Sequence, residues 1–227
     1  YRFTNDRESE PLACAFLAEG YHVFSLRYST EKGIYPAALE QLARTVRLIR
    51  QNAGEWHVRK DAIVLAGLSA GGHLAAEYAC KWGRPALSAA AEAEREELRP
   101  NALVLGYPVI TAGAAAHEES IHNLLGAQDT PKMRRSVSLE TQVSGCVPPV
   151  FLWHTATDEM VNAENSLLFA SALAREKIPY ELHIYGSGVH GVSLGTRATV
   201  GEEKHVSHGC AGWFAQAARF LERVLPE

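Results

Sequence analysis

A serine held between glycines is the first feature of this sequence that could do chemistry. Residues 67–71 read Gly-Leu-Ser-Ala-Gly and match the pattern G-x-S-x-G. The apolar run 62–67 predicts a buried strand before the serine, and a helix is predicted to begin at Gly72. Small residues at both ends of the pattern would let the backbone turn tightly and expose the Ser69 hydroxyl at the carboxyl end of the strand. The spacing indicates a nucleophile, although five residues alone also fit a glycine-rich turn without chemistry.

A nucleophilic serine needs a histidine that takes its proton and a carboxylate that orients the histidine. Two segments that follow predicted strands contain such residues: Asp158 lies in HTATDEM and His190 lies in GSGVHG. The order Ser69, Asp158, His190 along the chain is the one expected when the serine occupies a strand-to-helix turn. The glycines around His190 predict a loop in which the imidazole is free to swing. We therefore interpret the three residues as a catalytic triad.

Other titratable residues compete for these roles or suggest different chemistry. Asp61 precedes its strand and would lie at the wrong end of the sheet, whereas His208, beyond the last strand, is a rival base. His205, His208 and Cys210 raise the alternative of a zinc site, but their spacing is loose and a fourth ligand is not evident. From the sequence we therefore expect no metal and no cofactor.

Strand and helix patterns alternate along the chain. Short apolar or β-branched runs predict strands, and amphipathic stretches predict helices between them. The predicted strands are 21–28, 62–67, 102–108, 148–154 and 180–185, and the predicted helices are 8–18, 36–52, 72–82, 163–176 and 211–224. This alternation favours one α/β domain, with a mostly parallel sheet and helices on both faces. Such sheets bind ligands at the carboxyl ends of their strands, where the three candidate residues lie.

Length and composition limit the function further. The chain has 227 residues, of which 47% are hydrophobic, and this is enough to build one sizeable core. A net charge of -4 gives no electrostatic reason to expect nucleic acid or a membrane surface as a partner. No apolar run approaches the roughly 18 residues that cross a bilayer. The four widely spaced cysteines predict reduced thiols and a cytoplasmic location, while the oligomeric state stays open.

Five stretches spread over nearly the whole chain resemble one known family. They read NDRESEPLACAFLAEGYHVFSLRYS, GLSAGGHLA, LVLGYPVIT, PPVFLWHTATDEMVNAENSLLFASALAREKIPYELHIY and GVHGVSLG. In these stretches the chain is similar to α/β-hydrolase esterases and lipases, among them bacterial proteins related to acetyl xylan esterases and carbohydrate deacetylases. The resemblance implies that Ser69 is the nucleophile, Asp158 the acid and His190 the base. It also implies that the backbone N–H of Ala70 donates to the oxyanion.

The resemblance also implies a substrate class. It suggests a small-molecule or carbohydrate ester, with acetyl groups on sugar hydroxyls as the first expectation. The segment 107–147 is expected to form a cap over the pocket and to help choose the substrate. Two other function classes stay open: a peptidase of the prolyl-oligopeptidase type, and a binding module that keeps the fold without catalysis. The peptidase is disfavoured because 227 residues leave no room for the propeller domain that such enzymes normally carry.

The beginning of the chain departs from the family pattern. In the family, a glycine-rich loop resembling HGGG or PGGG follows a strand and immediately precedes the position of Tyr1, and its N–H groups supply the remaining oxyanion donors. We therefore expect residues 1–227 to form an α/β-hydrolase domain that lacks its N-terminal strands, with a gap in the sheet between 21–28 and 62–67. Such a chain is expected to be poorly stable and nearly inactive by itself.

Overall fold

A parallel sheet forms the centre of the protein. The computed structural model describes residues 6–199, 201–207 and 209–226. Within these ranges the sheet has four strands in the order β1-β2-β3-β4, so each strand pairs with its neighbours in the sequence. The strands are β1 Val64–Leu68, β2 Ala102–Gly106, β3 Val150–Thr155 and β4 Tyr180–Tyr185. The parallel sheet predicted from the alternation of strands and helices is confirmed.

Helices cover both faces of this sheet. The five predicted helices are present close to their expected bounds, because their apolar positions repeat at helical spacing and pack inward. Three short helices, α4 to α6, lie in connections for which the sequence predicted no bounds. The helices are α1 Asp6–Ala18, α2 Ala37–Gln51, α3 Ser69–Lys81, α4 Pro85–Ala91, α5 Glu118–Leu125, α6 Pro131–Val137, α7 Glu164–Arg175 and α8 Trp213–Val224.

Alternating residues of the strands divide the core into two layers. Leu103 and Leu105 of β2 pack with α2, α3 and α7, whereas Val104 and Trp153 pack with α1 and α8 on the opposite face. Successive side chains of a strand point to opposite faces. Because helices cover both faces, every position of β2 and β3 is buried. The two packed layers provide a rigid base for the loops that follow the strands.

The segment 21–28 is not the strand that its sequence predicts. It has neither helical nor strand structure, and within the described ranges no strand pairs with it. A groove of about 310 Å³ separates it from β1, and the groove is lined by α1 on one face and by α2 and α3 on the other. β1 is consequently an edge strand with Ala66 exposed, rather than a strand buried on both faces. A β-rich segment becomes a strand only where a neighbouring backbone pairs with it. The gap expected between the two segments is present.

The segment 107–147 contains α5 and α6 and connects β2 with β3. Its side chains Ile121 and Leu125 pack with Val161 in an apolar cluster separate from the two core layers. Ala70, the residue after the candidate nucleophile, packs against the same cluster. The segment therefore lies beside the strand ends that carry the candidate site.

The membrane and disulfide expectations can be examined directly in the described ranges. No helix there is both long enough and apolar enough to cross a membrane. All four cysteines lie in these ranges, and each is unpaired. Burial raises the pKa of the Cys80 thiol to about 12, so this thiol stays protonated at neutral pH.

Candidate active site

Ser69 lies at the sharp turn between β1 and α3. β1 ends at Leu68 and α3 begins at Ser69 itself, three residues before the predicted helix start at Gly72. Ser69 has a φ of 53°, which is costly for a residue with a Cβ and is found most often at functional sites. The Ser69 carbonyl accepts the N–H of Val109 at 3.2 Å, and this bond anchors the turn to the strand end beside it. The turn therefore presents the hydroxyl at the carboxyl edge of the sheet, as the sequence predicts.

Glycine is required at two positions around this turn, and only one of them was expected. A Cβ added at Gly67 would lie 2.3 Å from the Gly71 carbonyl oxygen, and one added at Gly72 would lie 2.7 Å from the Pro108 Cβ. A Cβ at Gly71 would meet only the Tyr28 hydroxyl, at an ordinary 3.8 Å. Close approach between β1, α3 and the end of β2 therefore requires Gly67 and Gly72, whereas Gly71 is not sterically required.

These contacts predict opposite results for two matched substitutions. Gly67→Ala is expected to lower the free energy of unfolding by about 3 kcal/mol or more, because backbone atoms must move to admit the methyl group. Gly71→Ala is expected to be neutral or stabilising by about 0.5 kcal/mol, since alanine favours a helix. Urea denaturation of both variants measures the difference, and equal stabilities would contradict this account of the turn.

The three predicted catalytic residues form one hydrogen-bonded chain. Ser69 Oγ lies 2.8 Å from His190 Nε2, and His190 Nδ1 lies 2.7 Å from Asp158 Oδ2. Because the carboxylate can only accept, His190 donates through Nδ1, which leaves Nε2 to accept the hydroxyl proton of Ser69. The His190 side chain is 12% exposed, so substrate can reach it while most of the ring is shielded from water. This arrangement can activate a serine for attack on a carbonyl carbon.

Asp158 is held as a carboxylate by several donors. Its Oδ1 accepts the backbone N–H groups of Met160 and Val161, both at 2.9 Å. Burial would raise the pKa of Asp158, but hydrogen bonds from His154 and His190 hold it well below its usual range. His154 Nε2 lies 2.8 Å from the Val161 carbonyl and 3.3 Å from Asp158 Oδ2, so the fully buried His154 presents an N–H to both. Asp158 therefore stays charged beside His190.

The loop that carries His190 is more constrained than its glycines predict. Thr155 Oγ1 and Thr157 Oγ1 both donate to the Gly188 carbonyl, at 2.9 and 3.0 Å, and the Gly188 N–H donates back to Thr157. A Cβ at Gly188 would lie 2.6 Å from Thr155 Cγ2, so glycine serves close packing there. The end of β3 and the loop after it therefore hold the backbone of the His190 loop, while the free swing of the imidazole that the glycines predict stays a prediction.

Tyr107 is a site residue that the sequence did not single out. Its ring packs edge-on against His190 with centroids 5.0 Å apart, and its φ of 36° is strained. Its hydroxyl donates to Glu8 Oε1 at 2.6 Å and accepts the N–H of Ser193 at 3.1 Å. Burial, and then the nearby Glu8, raise the pKa of Tyr107 well above its usual value. Tyr107 thus ties α1 to the loop that holds His190.

The residues that compete with the proposed triad, or that suggest a zinc site, lie away from Ser69 or outside the residues that the structure describes. Asp61 is exposed and faces Arg59 at 3.5 Å, away from Ser69. The rival base His208 lies outside the described residues. His205 and Cys210 are buried, and in the described part of the chain no three His, Cys, Asp or Glu side chains are placed to hold a metal ion.

Comparison with known proteins identifies a protein family that matches this chain. A family model described as BD-FAE matches residues 3–173, more than half of the chain. The endo-1,4-beta-xylanase B of Butyrivibrio fibrisolvens is 36% identical over 82% of the chain and 30% of its own length. The chain spans between 30% and 41% of the length of the curated relatives that it matches.

Solved structures of other proteins share the architecture of this chain over nearly all of its length. The carboxylesterase Cest-2923 from Lactobacillus plantarum WCFS1 is 31% identical with a TM-score of 0.87, covering 100% of this chain and 83% of its own. An acetyl ester-xyloside bifunctional hydrolase from Caldicellulosiruptor lactoaceticus is 33% identical with a TM-score of 0.86. The match covers 99% of this chain and 79% of that protein's chain. With further α/β-hydrolase neighbours, these structures confirm the predicted fold class.

Proposed function

The chain belongs to the BD-FAE family, and on that premise we propose that it hydrolyses carboxylic esters, with Ser69 as nucleophile, His190 as base and Asp158 as acid. The hydrogen-bonded chain through these residues carries the proposal. Its two bonds, of 2.8 and 2.7 Å, join side chains 121 and 32 residues apart in sequence. No structural need of the fold explains why a strained serine, a histidine and a buried carboxylate should meet at a strand end.

The geometry supports a two-step reaction. His190 Nε2 takes the proton of Ser69 as Oγ attacks the ester carbonyl carbon, and the Nδ1–H bond to Asp158 stabilises the positive charge on the ring. His190 then gives that proton to the alcohol oxygen as the carbon–oxygen bond breaks, which leaves an acyl group on Ser69. Water, deprotonated by the same histidine, releases the acid and restores the hydroxyl.

The oxyanion that forms in each step needs hydrogen-bond donors. Ala70 lies in the first turn of α3, where a backbone N–H has no acceptor within the helix, and so it is the proposed donor. A second donor is proposed to come from a glycine-rich loop after a strand seated in the groove between 21–28 and β1. This groove has helices on both faces, β1 at one edge and the segment 21–28 at the other, which resembles the surroundings of an inner strand in an α/β sheet.

The direction of α1 fits such a strand. Glu8, in the first turn of α1, reaches Tyr107 beside His190, so the helix begins at the carboxyl edge of the sheet. A parallel strand joined to the amino end of α1 would therefore finish next to Ser69, and the loop between them would face the ester carbonyl. We propose that the 227-residue chain alone is less stable and less active than a chain with this segment.

We further propose that the acyl group is small, with acetyl esters of carbohydrates as substrates. The support is the resemblance to acetyl xylan esterases together with the structural relative described as an acetyl ester-xyloside bifunctional hydrolase. The segment 107–147 is proposed to act as a cap, because it packs beside Ala70 and the Asp158 loop. The unpaired cysteines support a reduced, cytoplasmic setting for the reaction.

Hydrolysis of a chain-length series tests the proposed function. We expect kcat/KM for p-nitrophenyl acetate to exceed that for the octanoate at least tenfold, with the butyrate between them, since a small acyl pocket excludes long chains. Release of acetate from acetylated xylan tests the carbohydrate part separately. An optimum at octanoate indicates a lipase-like pocket, and cleavage of peptides without esters supports the peptidase alternative. Binding without any turnover supports the non-catalytic module.

A further inference from the structure

Asn165 is a buried side chain that holds the loop between β2 and α5, together with Ser138, whose Oγ accepts the Ala112 N–H at 3.0 Å. Asn165, in the first turn of α7 and fully buried, accepts the N–H groups of Ile110 and Thr111 through Oδ1 at 2.9 and 3.0 Å. Its Nδ2 donates to the Ala115 carbonyl at 2.9 Å. Because both ends of the loop are fixed to Asn165, His117, two residues after Ala115, is presented from a defined position.

His117 caps α5 in one tautomer. Its Nδ1 accepts the backbone N–H of Ser120 at 3.3 Å and lies 2.9 Å from Ser120 Oγ. Since a backbone N–H can only donate, Nδ1 carries no proton, and the neutral ring bears its proton on Nε2. Burial lowers the pKa of His117, and the positive charge that His190 can carry lowers it further. The ring is therefore neutral at pH 7 with a fixed Nε2–H.

Capping alone does not require a histidine at this position. Asn, Asp and Ser are the preferred capping residues and reach the same N–H with a shorter side chain. What the imidazole adds is a second nitrogen on the far side of the ring. Within the described residues, the hydrogen bonds of the His117 ring all involve Nδ1, so the Nε2–H is available to a ligand.

His117 lies in the neighbourhood of the catalytic candidates. It interacts electrostatically with both His190 and Asp158. Ala116, next to His117, and Ala70, next to Ser69, pack against the same apolar cluster. Because His190 must touch the alcohol oxygen to protonate it, the alcohol part of the ester lies nearer His190 than the acyl part does.

We propose that the His117 Nε2–H donates a hydrogen bond to an oxygen of the alcohol part of the ester and so favours esters of polyhydroxy alcohols such as carbohydrates. The inference rests on the proposed ester hydrolysis and deepens it, since it names a specificity residue for the substrate class. A hydroxyl or ring oxygen near the ester is the acceptor. An alcohol without such an oxygen leaves the donor unpaired, and sites built around a polar contact reject such analogues.

The test compares two substrates that differ mainly in these oxygens: a monoacetate of methyl β-xylopyranoside, and cyclohexyl acetate. His117→Asn keeps the cap, because the asparagine oxygen accepts the Ser120 N–H, but it removes the Nε2–H. The matched control is His122→Asn in α5, the helix that His117 caps, where the exposed imidazole contacts Lys32 and Asp129. Each variant is made in the 227-residue chain and in the chain extended by the proposed strand and loop. A low basal rate in the shorter chain then does not hide the change in kcat/KM between variant and parent.

We expect His117→Asn to lower kcat/KM for the xyloside acetate about tenfold and to leave cyclohexyl acetate within about twofold, as loss of one hydrogen bond predicts. His122→Asn should change neither value. Equal losses on both substrates, no loss on either, or a wild-type protein that cleaves only cyclohexyl acetate overturns the inference and leaves ester hydrolysis standing. If the wild type cleaves neither substrate in either chain, the proposed function itself has failed.

Discussion

Replacing Ser69 with alanine is expected to lower kcat/KM for p-nitrophenyl acetate by about 10⁴-fold or more, because no other group at the site can form the acyl intermediate. His190, whose Nε2 lies 2.8 Å from Ser69 Oγ, would have no hydroxyl to activate. Residual hydrolysis by water oriented at the site is the only catalysis that remains. Steady-state assays measure the loss, and incubation with an ester followed by intact mass measurement should show acylation of the parent chain alone.

The stability of the Ser69→Ala variant separates catalysis from folding. The substitution keeps the Cβ, so the backbone strain at a φ of 53° is the same in both proteins. Only the hydrogen bond to His190 is lost, and we expect the free energy of unfolding to change by no more than about 1 kcal/mol. Ser171→Ala on the exposed face of α7 is the matched control, with unchanged activity. If Ser69→Ala retained near-parental turnover, Ser69 could not be the nucleophile.

Filling the groove beside β1 is expected to raise both activity and stability. The extension consists of an alternating apolar strand of about six residues followed by His-Gly-Gly-Gly and joined directly to Tyr1. Its loop would supply N–H groups to the oxyanion, and one such donor typically contributes about 10²- to 10³-fold in kcat. Its strand would pair with β1 and cover the apolar lining of the groove, which includes Leu12, Val46 and Leu65.

Two control extensions distinguish these effects. A strand that ends in Ser-Ala-Ser-Ala in place of the glycine loop should raise the melting temperature without the full gain in kcat. A strand with alternating lysines should raise neither, because charged side chains cannot be buried between α1 and α2. Melting curves and p-nitrophenyl acetate assays on the four chains give the comparison. If the apolar strand with its glycine loop changes neither quantity, the groove is not a strand site.

Much of the candidate site could be predicted from local sequence, because each proposed catalytic residue follows its own strand. The runs 62–67, 148–154 and 180–185 are apolar or β-rich enough to define strands β1, β3 and β4. In a parallel sheet the carboxyl ends of all strands lie at one edge, so Ser69, Asp158 and His190 were expected at the same edge of the sheet. The residue types then indicated nucleophilic catalysis, since few side chains other than a histidine beside a carboxylate can activate a serine.

Residue type and local pattern could not identify the supporting side chains. Tyr107 and His154 belong to types that occur throughout protein cores, and nothing in GYP or LWH marks them as parts of a site. Tyr107 depends on Glu8, 99 residues away, and His117 is presented through a loop that Asn165 fixes. Such contacts arise only when distant segments pack, so no local periodicity records them.

The sequence by itself therefore determined the class of sheet, the strand-to-helix turn and the three groups of the hydrogen-bonded chain, because these follow from periodicity, glycine positions and residue chemistry. Only the tertiary structure decided that 21–28 stays unpaired, that Gly72 rather than Gly71 is sterically required, and that the His190 loop is held by Thr155 and Thr157. The physical reason is common to all three. Strand pairing, close approach and side-chain hydrogen bonds depend on which backbone lies next to a segment in space, and that neighbour is set by the packing of the whole domain.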